Sequence, residues 1–410
     1  MFYYSLTRAT IWNLSGYLYL IIASLVSTPI LIRYLGISDF ARYGIILAIL
    51  SLVSSFNLGL PQAVVRALSK YHDNHIELDS IWATSSVLFI ITGIVGSVIA
   101  VGLAYFMNVD TNLLPMIFAL VLINYLVTHY LTLPHAHGHF GYFNAKTFIV
   151  GTANTYLSAY LSTQGFDLLI ILNYQLASYL LTLLILAYFS LKYFPKPWLL
   201  HSNYSRAKSL ISFGLKNQLG TIVGQIQAQY AKFLLSTLNP LSLSAYMIAS
   251  GLVQKLTGGI VQLSSALYPA TSRNRLSPDF KELYIRMQFG LVGIGILGVI
   301  LYNLWGFDFL SWWLRSNDLV NQVHAVLNIL VLYFLILVLT PLPSSILDGR
   351  GRPELTSIFA TITVAIEIGL AFILLPRYGI LAPGYSALIA VSLTTPILLF
   401  VTSRMLQSKS

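Results

Sequence analysis

The sequence predicts an all-α polytopic membrane protein with about twelve transmembrane helices, and its composition is the first reason. Hydrophobic residues make up 57% of the 410 positions, whereas charged residues make up only 9%. A soluble domain carries about 25% charged residues, so lipid must be the solvent for most of this chain. The second reason is that long apolar runs recur along the chain, and about 20 such residues span the hydrocarbon core of a bilayer.

Each apolar run marks one predicted span. The first run begins near Thr10 and is interpreted as a span, because no small-residue cleavage site ends it as in a signal peptide. The fifth and seventh spans are the most polar. The predicted spans cover residues 10–32, 43–65, 81–106, 113–133, 144–163, 168–191, 209–236, 241–268, 285–306, 323–347, 355–376 and 379–402.

The chain divides into two halves with six predicted spans each. The segment "LGISDFARY" (35–43) follows the first span, and the weakly similar "LNPLSLSAY" (238–246) follows the seventh. We predict an N-terminal lobe at 1–195, a cytoplasmic linker at 196–208 and a C-terminal lobe at 209–410. Halves with an even number of spans share one orientation, which predicts a pseudo-two-fold axis along the membrane normal and a substrate site between the lobes.

Basic residues predict the topology. With the N-terminus in the cytoplasm, 16 of the 23 Lys and Arg residues fall in cytoplasmic segments and 4 on the opposite side. Cytoplasmic loops are enriched in Lys and Arg, so this bias favours both termini in the cytoplasm. Topology thereby explains the net charge of +10, and no nucleic-acid partner is expected because no basic run of five residues exists. The absence of cysteine excludes disulfides and thiolate metal sites.

The predicted seventh span carries an unusual polar face within "LKNQLGTIVGQIQAQYAKFLL" (215–235). Lipid cannot satisfy a polar face, which must line a protein interior or a water-filled cavity. A hydrogen-bonded seam between two helices is the alternative explanation for the glutamines. Advancing 100° per residue places five side chains on one stripe about 80° wide: Gln218, Thr221, Gln225, Gln229 and Lys232.

Three lysines are predicted to lie inside spans: Lys216, Lys232 and Lys255. A charge at bilayer depth costs roughly 2.5–3.5 kcal/mol, and a purely structural seam gains little from it. Lys216 and Lys232 lie near span ends, where a side chain can also snorkel to the interface. Glu367 is the only carboxylate predicted well inside a span, so the interior is net cationic. We therefore predict an anionic ligand, and cations beside amides suit a phosphorylated glycan.

Four further residues have two explanations each. Glu367 either pairs with a lysine, which we favour, or titrates and couples transport to a proton or sodium gradient. Arg33 and Arg42 lie in the first predicted outer loop, and Arg66 lies at the inner end of the second span. These arginines either extend the cationic potential of the cavity or contact lipid headgroups, and we favour headgroup contact.

The alternating histidines of "PHAHGHFGYF", His135, His137 and His139, are interpreted as an interfacial loop. A metal site is less favoured because no carboxylate lies nearby. The segment "LDGRGRPE" (347–354) is predicted to be a tight turn, and no strand precedes it as in a phosphate-binding loop. No metal and no cofactor are expected.

Two segments carry a family resemblance: "RYLGISDFARYGIILAILSLVSSFNLGLPQAVVRALSK" (33–70) and "LDGRGRPELTSIFATITVAIEIGLAFILLPRYGILAPGYSALIAVSL" (347–393). Both resemble polysaccharide transporters of the MOP flippase superfamily, whose fold is MATE-like. In the first segment the family pattern is Leu-Gly, an acidic-aromatic turn, Tyr-Gly and a late Gly-Leu before Arg. The matching residues are Leu35, Gly36, Asp39, Phe40, Tyr43, Gly44, Gly59, Leu60 and Arg66.

Within the superfamily, the twelve spans and the cationic interior are similar to those of Wzx-type O-antigen flippases. The resemblance implies alternating access by two six-helix lobes in a bacterial inner membrane. The implied cargo is an undecaprenyl-diphosphate-linked oligosaccharide, moved from the inner to the outer leaflet. Lys232 and Lys255 match the family's cationic cavity residues by kind and place. We expect a functional monomer without enzymatic activity, in complex with a glycan polymerase or ligase.

A cation-coupled multidrug antiporter of the same superfamily is the main alternative. Such antiporters carry a carboxylate in the N-terminal lobe, and predicted spans one to six contain none well inside. A major-facilitator transporter is disfavoured because "RALSKYHDNHIELDS" (66–80) lacks the Gly-x-x-x-Asp-Arg motif of that family. A membrane enzyme is disfavoured because the predicted outer loops are short and nearly empty of acid, base or nucleophile groups.

Overall fold

The computed structural model describes residues 2–71, 74–194, 202–265 and 278–407, and all regular elements in these ranges are helical. Short 3₁₀ turns lie at Thr111–Leu113 and Gly379–Leu381, and a π-helical turn lies at Ala153–Leu157. The α-helices of the described ranges are α1 (Phe2–Ser55), α2 (Leu60–Lys70), α3 (His75–Phe106), α4 (Leu114–Ala136), α5 (Phe140–Phe143), α6 (Ala145–Thr152), α7 (Ser158–Thr163), α8 (Leu168–Ser190), α9 (Tyr204–Leu235), α10 (Pro240–Ser265), α11 (Pro278–Leu314), α12 (Asn317–Leu337), α13 (Pro341–Gly349), α14 (Pro353–Tyr378) and α15 (Ala382–Gln407).

Long apolar helices confirm the predicted class, an all-α polytopic membrane protein. The more polar α9 and α10 are not among these apolar stretches, so their crossing of the membrane stays a prediction. Within the described residues, seven stretches are long and apolar enough to cross a bilayer: Ser15–Ser55, His75–Phe106, Thr111–Ala136, Leu168–Ser190, Glu282–Leu314, Asn317–Gly349 and Pro353–Met405. The first and last of these each include residues of two predicted spans.

Two predicted spans are each divided into two helices. The second span, 43–65, contains the turn between α1 and α2, in which Leu58 and Gly59 have positive φ angles of 55° and 64°. An α-helix cannot continue through left-handed residues. The tenth span, 323–347, is divided between α12 and α13, and Pro341 begins the second of these helices. Proline suits a helix start because it has no N–H to contribute to a helix interior.

The predicted loop between the first two spans, residues 33–42, contains a kink with helical residues on both sides. The kink lies at Gly36, with φ 81° and ψ 162°, so α1 consists of two helices that meet there. Glycine reaches these angles without the steric cost that a Cβ imposes. The fifth predicted span is helical as expected, but the π-helical turn at Ala153–Leu157 interrupts it.

The turn after α1 lies against α9 at very short range. A Cβ on Gly59 would collide with the backbone oxygen of Gly214, and a Cβ on Gly214 would collide with that of Leu58. Glycine at both positions is therefore a condition for this crossing. The approach brings the Gln218 amide Nε2 to the Ser55 carbonyl oxygen, to which it donates a hydrogen bond. That carbonyl lies in the last turn of α1, where no intrahelical donor is available.

The chain forms two compact units, Met1–Gln225 and Ile226–Ser410, which we call the N-terminal and C-terminal units. In the N-terminal unit α3 and α8 pack on α4, and in the C-terminal unit α10, α11 and α15 pack on α12. The boundary falls within α9. Residues 196–201 of the predicted linker, 196–208, lie outside the described ranges. The predicted lobes and their pseudo-two-fold axis stay predictions.

Both units expose large apolar side chains in addition to burying them. Phe89 and Ile117 are fully buried in the N-terminal unit, and Val323 is fully buried in the C-terminal unit. At the same time Phe106 of α3 is 77% exposed and Phe289 of α11 is 72% exposed. Rings in such positions suit a lipid solvent, which favours apolar contact on the outer surface of the protein.

We predict that Gly214→Ala destabilises the folded protein by about 1–3 kcal/mol, because its Cβ overlaps the backbone of the turn after α1. Gly224→Ala on the same helix is the matched control, since a Cβ there meets nothing within 4 Å. Thermal unfolding of both variants and the wild type in detergent measures the difference. Equal melting temperatures for the two variants would show that the close crossing does not stabilise the fold.

Candidate functional site

The polar stripe of α9 begins as a hydrogen-bonded seam with α1. Gln218 is 4% exposed and donates to the Ser55 carbonyl oxygen. One turn earlier on α1, the Ser51 hydroxyl donates to Gln225 Oε1 at 3.0 Å. All four residues belong to the N-terminal unit. A hydrogen-bonded seam between two helices, the alternative explanation for the glutamines, therefore describes the first part of the stripe.

The end of the stripe holds a lysine against an amide. Lys232 Nζ donates to Gln229 Oε1 at 2.7 Å, and Gln229 is 7% exposed while Lys232 is half-buried. On α10, the half-buried Lys255 donates to the Gly251 carbonyl oxygen at 3.3 Å and lies close enough to Lys232 for their charges to repel each other. The structure thus brings together Lys232, Lys255 and Gln229 within the C-terminal unit.

The partner of Lys232 determines what this site can bind. Among the described residues, Lys232 forms no ion pair with a carboxylate. An amide oxygen satisfies one of the three ammonium donors but brings no opposite charge. Lys255 adds a second basic side chain to the site. An anion is the ligand that such a site favours, and phosphate oxygens accept charge-assisted hydrogen bonds from lysine.

Glu367 of α14 contacts a face of α9 outside the stripe. Its side chain is 4% exposed and accepts hydrogen bonds from Gln227 Nε2 at 2.8 Å and from the Tyr230 hydroxyl at 3.0 Å. No ion pair joins Glu367 to a lysine in the described part of the chain, so the pairing that we favoured is not what these residues form. Sequence reasoning missed Gln227 because it lies about 180° around the helix from Gln218.

Four of the candidate cations occupy exposed positions, and three of them, Arg33, Arg42 and Lys216, lie outside the cluster that contains the fourth, Arg66. Arg42 contacts Asp39 and Asp110, with nitrogen-to-oxygen distances of 3.2 and 3.1 Å. Exposed ion pairs of this kind contribute little to stability, but here two carboxylates compensate the arginine charge locally. Arg33 and Lys216 are also exposed. Their roles in binding stay predictions.

Arg66 belongs to a separate cluster at the end of α2. Its guanidinium carbon lies 4.2 Å from the centre of the Phe213 ring. Lys70 and Arg206 line the same cavity. All four residues lie in the N-terminal unit, so Arg66 has basic neighbours that the sequence pattern did not connect with it.

Lys146, which the predicted topology places in a cytoplasmic segment, is a further cation of the N-terminal unit. Its Nζ donates to Asn124 Oδ1 at 2.5 Å and lies 5.7 Å from the centre of the Tyr179 ring. Asn124 is 7% exposed and donates in turn to the Ser54 hydroxyl at 2.5 Å. The only sequence signal was the polarity of the fifth predicted span, which begins beside this lysine. The N-terminal unit therefore also contains an ammonium group held by a neutral amide.

The alternating histidines lie at and beyond the end of α4. His137 Nδ1 is 3.0 Å from the Leu133 carbonyl oxygen, and its ring centre is 4.3 Å from that of Tyr193. Burial lowers the pKa of His139, and the charges of the nearby His137 and Lys192 lower it further. In the residues that the structure describes, no group of three His, Asp or Glu side chains suits a metal ion.

Solved structures with the same fold are membrane transporters. One is described as the inward-facing conformation of a multidrug resistance MATE family transporter of the MOP superfamily. It matches with a TM-score of 0.73 at 14% identity, over 98% of this chain and 100% of the other. A second, a MOP superfamily transporter from Pyrococcus furiosus described as having a binding pocket of reverse polarity, matches with a TM-score of 0.59 at 14% identity, over 99% and 96% of the two chains. At such identities the likeness establishes the fold, which is that of MOP superfamily transporters.

Sequence comparison identifies the family. The chain matches the family described as "Polysaccharide biosynthesis protein" over residues 6–275 and the MatE family over residues 230–373. A protein named "Putative O-antigen transporter" from Shigella flexneri is 22% identical over 98% of this chain and 98% of its own length. The first match covers well over half of the 410 residues, so the chain belongs to the polysaccharide biosynthesis protein family. The resemblance to MOP-superfamily polysaccharide transporters is confirmed.

We predict that Asn124→Ala destabilises the protein by about 1–3 kcal/mol, because it leaves the Lys146 ammonium without its recorded acceptor. Asn173→Ala is the matched control, since that exposed amide bonds only to its own helix at Leu169. Thermal unfolding in detergent measures both changes.

Adding Lys146→Met to Asn124→Ala separates a specific contact from general damage to packing. The double variant should lose less stability than the sum of the two single changes, since no cation then remains to be satisfied. Strict additivity would contradict a functional Lys146–Asn124 pair.

Proposed function

We propose that this protein is a flippase that moves a lipid-linked oligosaccharide, with an undecaprenyl diphosphate carrier, across a bilayer by alternating access. Membership of the polysaccharide biosynthesis protein family supports the proposal, as does similarity to a Shigella flexneri protein named for O-antigen transport. The observation that carries it is the Lys232–Gln229 contact beside Lys255. This is a cationic, amide-bearing site inside a protein of transporter fold.

In the proposed mechanism the two lysines bind the charged part of the substrate. The diphosphate engages Lys232 and Lys255, because phosphate oxygens accept charge-assisted hydrogen bonds from ammonium groups. The sugars contact amide groups beside these lysines. Gln229 accepts from Lys232 through its Oε1, and the amide nitrogen of such a side chain can donate to sugar hydroxyls. The lipid tail stays in the bilayer, its natural solvent.

The substrate and the basic residues together suggest the setting of the proposed activity. An undecaprenyl carrier implies a bacterial inner membrane and transport towards the outer leaflet, and the distribution of Lys and Arg residues favours both termini in the cytoplasm. The protein acts as a monomer and catalyses no covalent step. A glycan polymerase or ligase that consumes the translocated unit is the proposed partner.

Cation-coupled multidrug antiport is the second candidate. It is favoured by the MatE match over residues 230–373 and by structural neighbours described as multidrug resistance transporters. A buried carboxylate, Glu367, lies within that match. Against this candidate, the acidic residues described in the N-terminal unit lie near a kink or near helix ends: Asp39 follows the Gly36 kink of α1 by three residues, and helix ends lie beside Glu77, Asp79, Asp110 and Asp167. A carboxylate well inside that unit is the feature expected of an antiporter of this superfamily.

The decisive experiment is expression in a bacterium that lacks its own O-antigen flippase. We predict that the wild-type chain restores surface polysaccharide and that Lys232→Ala lowers display by about tenfold, because one charge-assisted contact to the diphosphate is lost. Lys232→Arg should retain more display than Lys232→Gln if charge matters more than shape. Surface glycan is measured by immunoblotting of whole cells.

Lys208→Ala serves as the matched control, since this lysine is exposed in the first turns of the same helix. Membrane-inserted protein must be equal in all strains. Normal surface glycan display by the Lys232→Ala strain would show that Lys232 has only a structural role. Failure of the wild type to restore display, together with export of cationic dyes, would favour the antiporter.

Glu367 is the proposed site of ion coupling. Glu367→Gln keeps one of the two acceptor oxygens that Gln227 and Tyr230 use, but cannot exchange a proton or bind sodium as a carboxylate does. We predict that a proton or sodium gradient accelerates flipping by the wild type in reconstituted vesicles but does not accelerate flipping by Glu367→Gln. Glu354→Gln is the control, because this exposed carboxylate lies in the first turn of the same helix. Undiminished acceleration in Glu367→Gln would assign the residue a structural role.

A further inference from the structure

A cavity of about 250 Å³ lies where the ends of α2 and α9 meet within the N-terminal unit. Three basic side chains, Arg66, Lys70 and Arg206, and two aromatic rings, Tyr71 and Phe213, are among the residues that line it. We call this cavity the basic pocket. It is separate in sequence from the Lys232–Lys255 site, which belongs to the C-terminal unit.

The rings of the basic pocket hold its cations in place. The Arg66 guanidinium carbon lies 4.2 Å from the centre of the Phe213 ring. Lys70 Nζ and the Arg206 guanidinium carbon lie 4.9 and 5.1 Å from the centre of the Tyr71 ring. Cation–π contacts attract a cation without neutralising it. The pocket therefore keeps its charge while the side chains are ordered.

The described residues leave the basic pocket with excess positive charge. Arg206 forms an ion pair with Glu77. No ion pair is found for Arg66 or Lys70 in the described ranges, from which residues 72–73 are excluded. Hydrogen bonds from Arg206 and Lys70, with the nearby Lys70 charge, lower the pKa of Tyr71. This lowering is expected, because nearby positive charge favours the ionised form of a phenol.

The volume of the basic pocket and its position in the protein indicate which kind of anion it can bind. Its volume is below the roughly 300–1,000 Å³ typical of pockets for drug-sized ligands, so a small charged group fits better than a glycan chain. Arginine offers a fork of donors and lysine a point charge, which is the pairing that phosphate oxygens accept. The distribution of basic residues predicts that this end of α2 faces the cytoplasm, where lipid phosphates lie at the membrane surface.

We propose that the basic pocket binds the phosphate group of a lipid headgroup at the cytoplasmic membrane surface, with Arg66 and Lys70 as the direct ligands. The lipid is either the diphosphate-linked carrier, held before it reaches the Lys232–Lys255 site, or an anionic phospholipid of the surrounding leaflet. The carrier alternative rests on the proposed function, whereas the phosphate site itself does not.

Native mass spectrometry of the full-length protein in detergent tests the proposal with three probes: a polyprenyl diphosphate, phosphatidylglycerol and zwitterionic phosphatidylcholine. We expect the wild type to retain one or both anionic lipids in preference to phosphatidylcholine. Combining Arg66→Gln with Lys70→Gln should weaken that binding by about tenfold or more, because two charge-assisted contacts are lost. The probe whose binding falls identifies the source of the phosphate.

Two further variants make the result specific. Lys208→Gln removes the same charge from an exposed position that does not line the pocket, and it should leave binding unchanged. Lys70→Arg keeps the charge and should retain most of the affinity. If the double variant misfolds, the single Lys70→Gln variant provides the test, since Lys70 is exposed and its removal disturbs little packing.

Three results would overturn the proposal: no preference of the wild type for anionic lipid, undiminished binding in the double variant, or an equal loss with Lys208→Gln. Its failure is distinguishable from failure of the proposed function. Restored surface glycan without pocket-dependent binding rejects the pocket alone. Pocket-dependent binding of phosphatidylglycerol without restored glycan rejects the flippase assignment alone.

Discussion

Lipid offers no hydrogen-bond donor or acceptor, and this constraint governs where each polar group of the chain can lie. A polar group without a hydrogen-bond partner in hydrocarbon costs several kcal/mol. This cost is a substantial part of the free energy of unfolding of a small domain. The protein meets the constraint by pairing its polar side chains with one another. Ser51 engages Gln225, Asn124 engages Lys146, and Glu367 is held by donors on α9. These contacts satisfy polar side chains within the protein, so that lipid can surround the folded chain.

The same constraint explains why the helix breaks need close neighbours. The turn after α1 exposes backbone groups that lipid cannot satisfy, and irregular backbone is tolerated at membrane depth only where protein or a water-filled cavity covers it. α9 supplies that cover, because Gly59 and Gly214 let the two backbones touch. Gln218 then donates to the Ser55 carbonyl oxygen. One polar side chain of the stripe is therefore part of the scaffold, although it lies on the same helix face as Lys232.

Cations in this protein have partners of two kinds, carboxylates and amide oxygens. Exposed arginines such as Arg42 and Arg352 contact carboxylates, where water screens the pair and little energy is at stake. The half-buried Lys146 and Lys232 instead contact amide oxygens. A carboxylate would cancel the charge, whereas an amide supports the ammonium group and leaves its field available to a ligand. This arrangement is what a carrier of anions requires, because the ligand and not the protein must supply the compensating charge during transport.

The sequence by itself determined the class of the protein, since its apolar composition and run lengths admit no other solvent than lipid. It also determined the polar face of α9, because 100° per residue is a property of any α-helix. Only the tertiary structure decided which residues of that face are scaffold and which belong to a candidate site. Partners such as Ser51 for Gln225, or Gln227 for Glu367, lie more than a hundred positions apart in the chain. Helical periodicity relates residues within one helix, but contacts between helices depend on how the chain packs, and no local pattern records them.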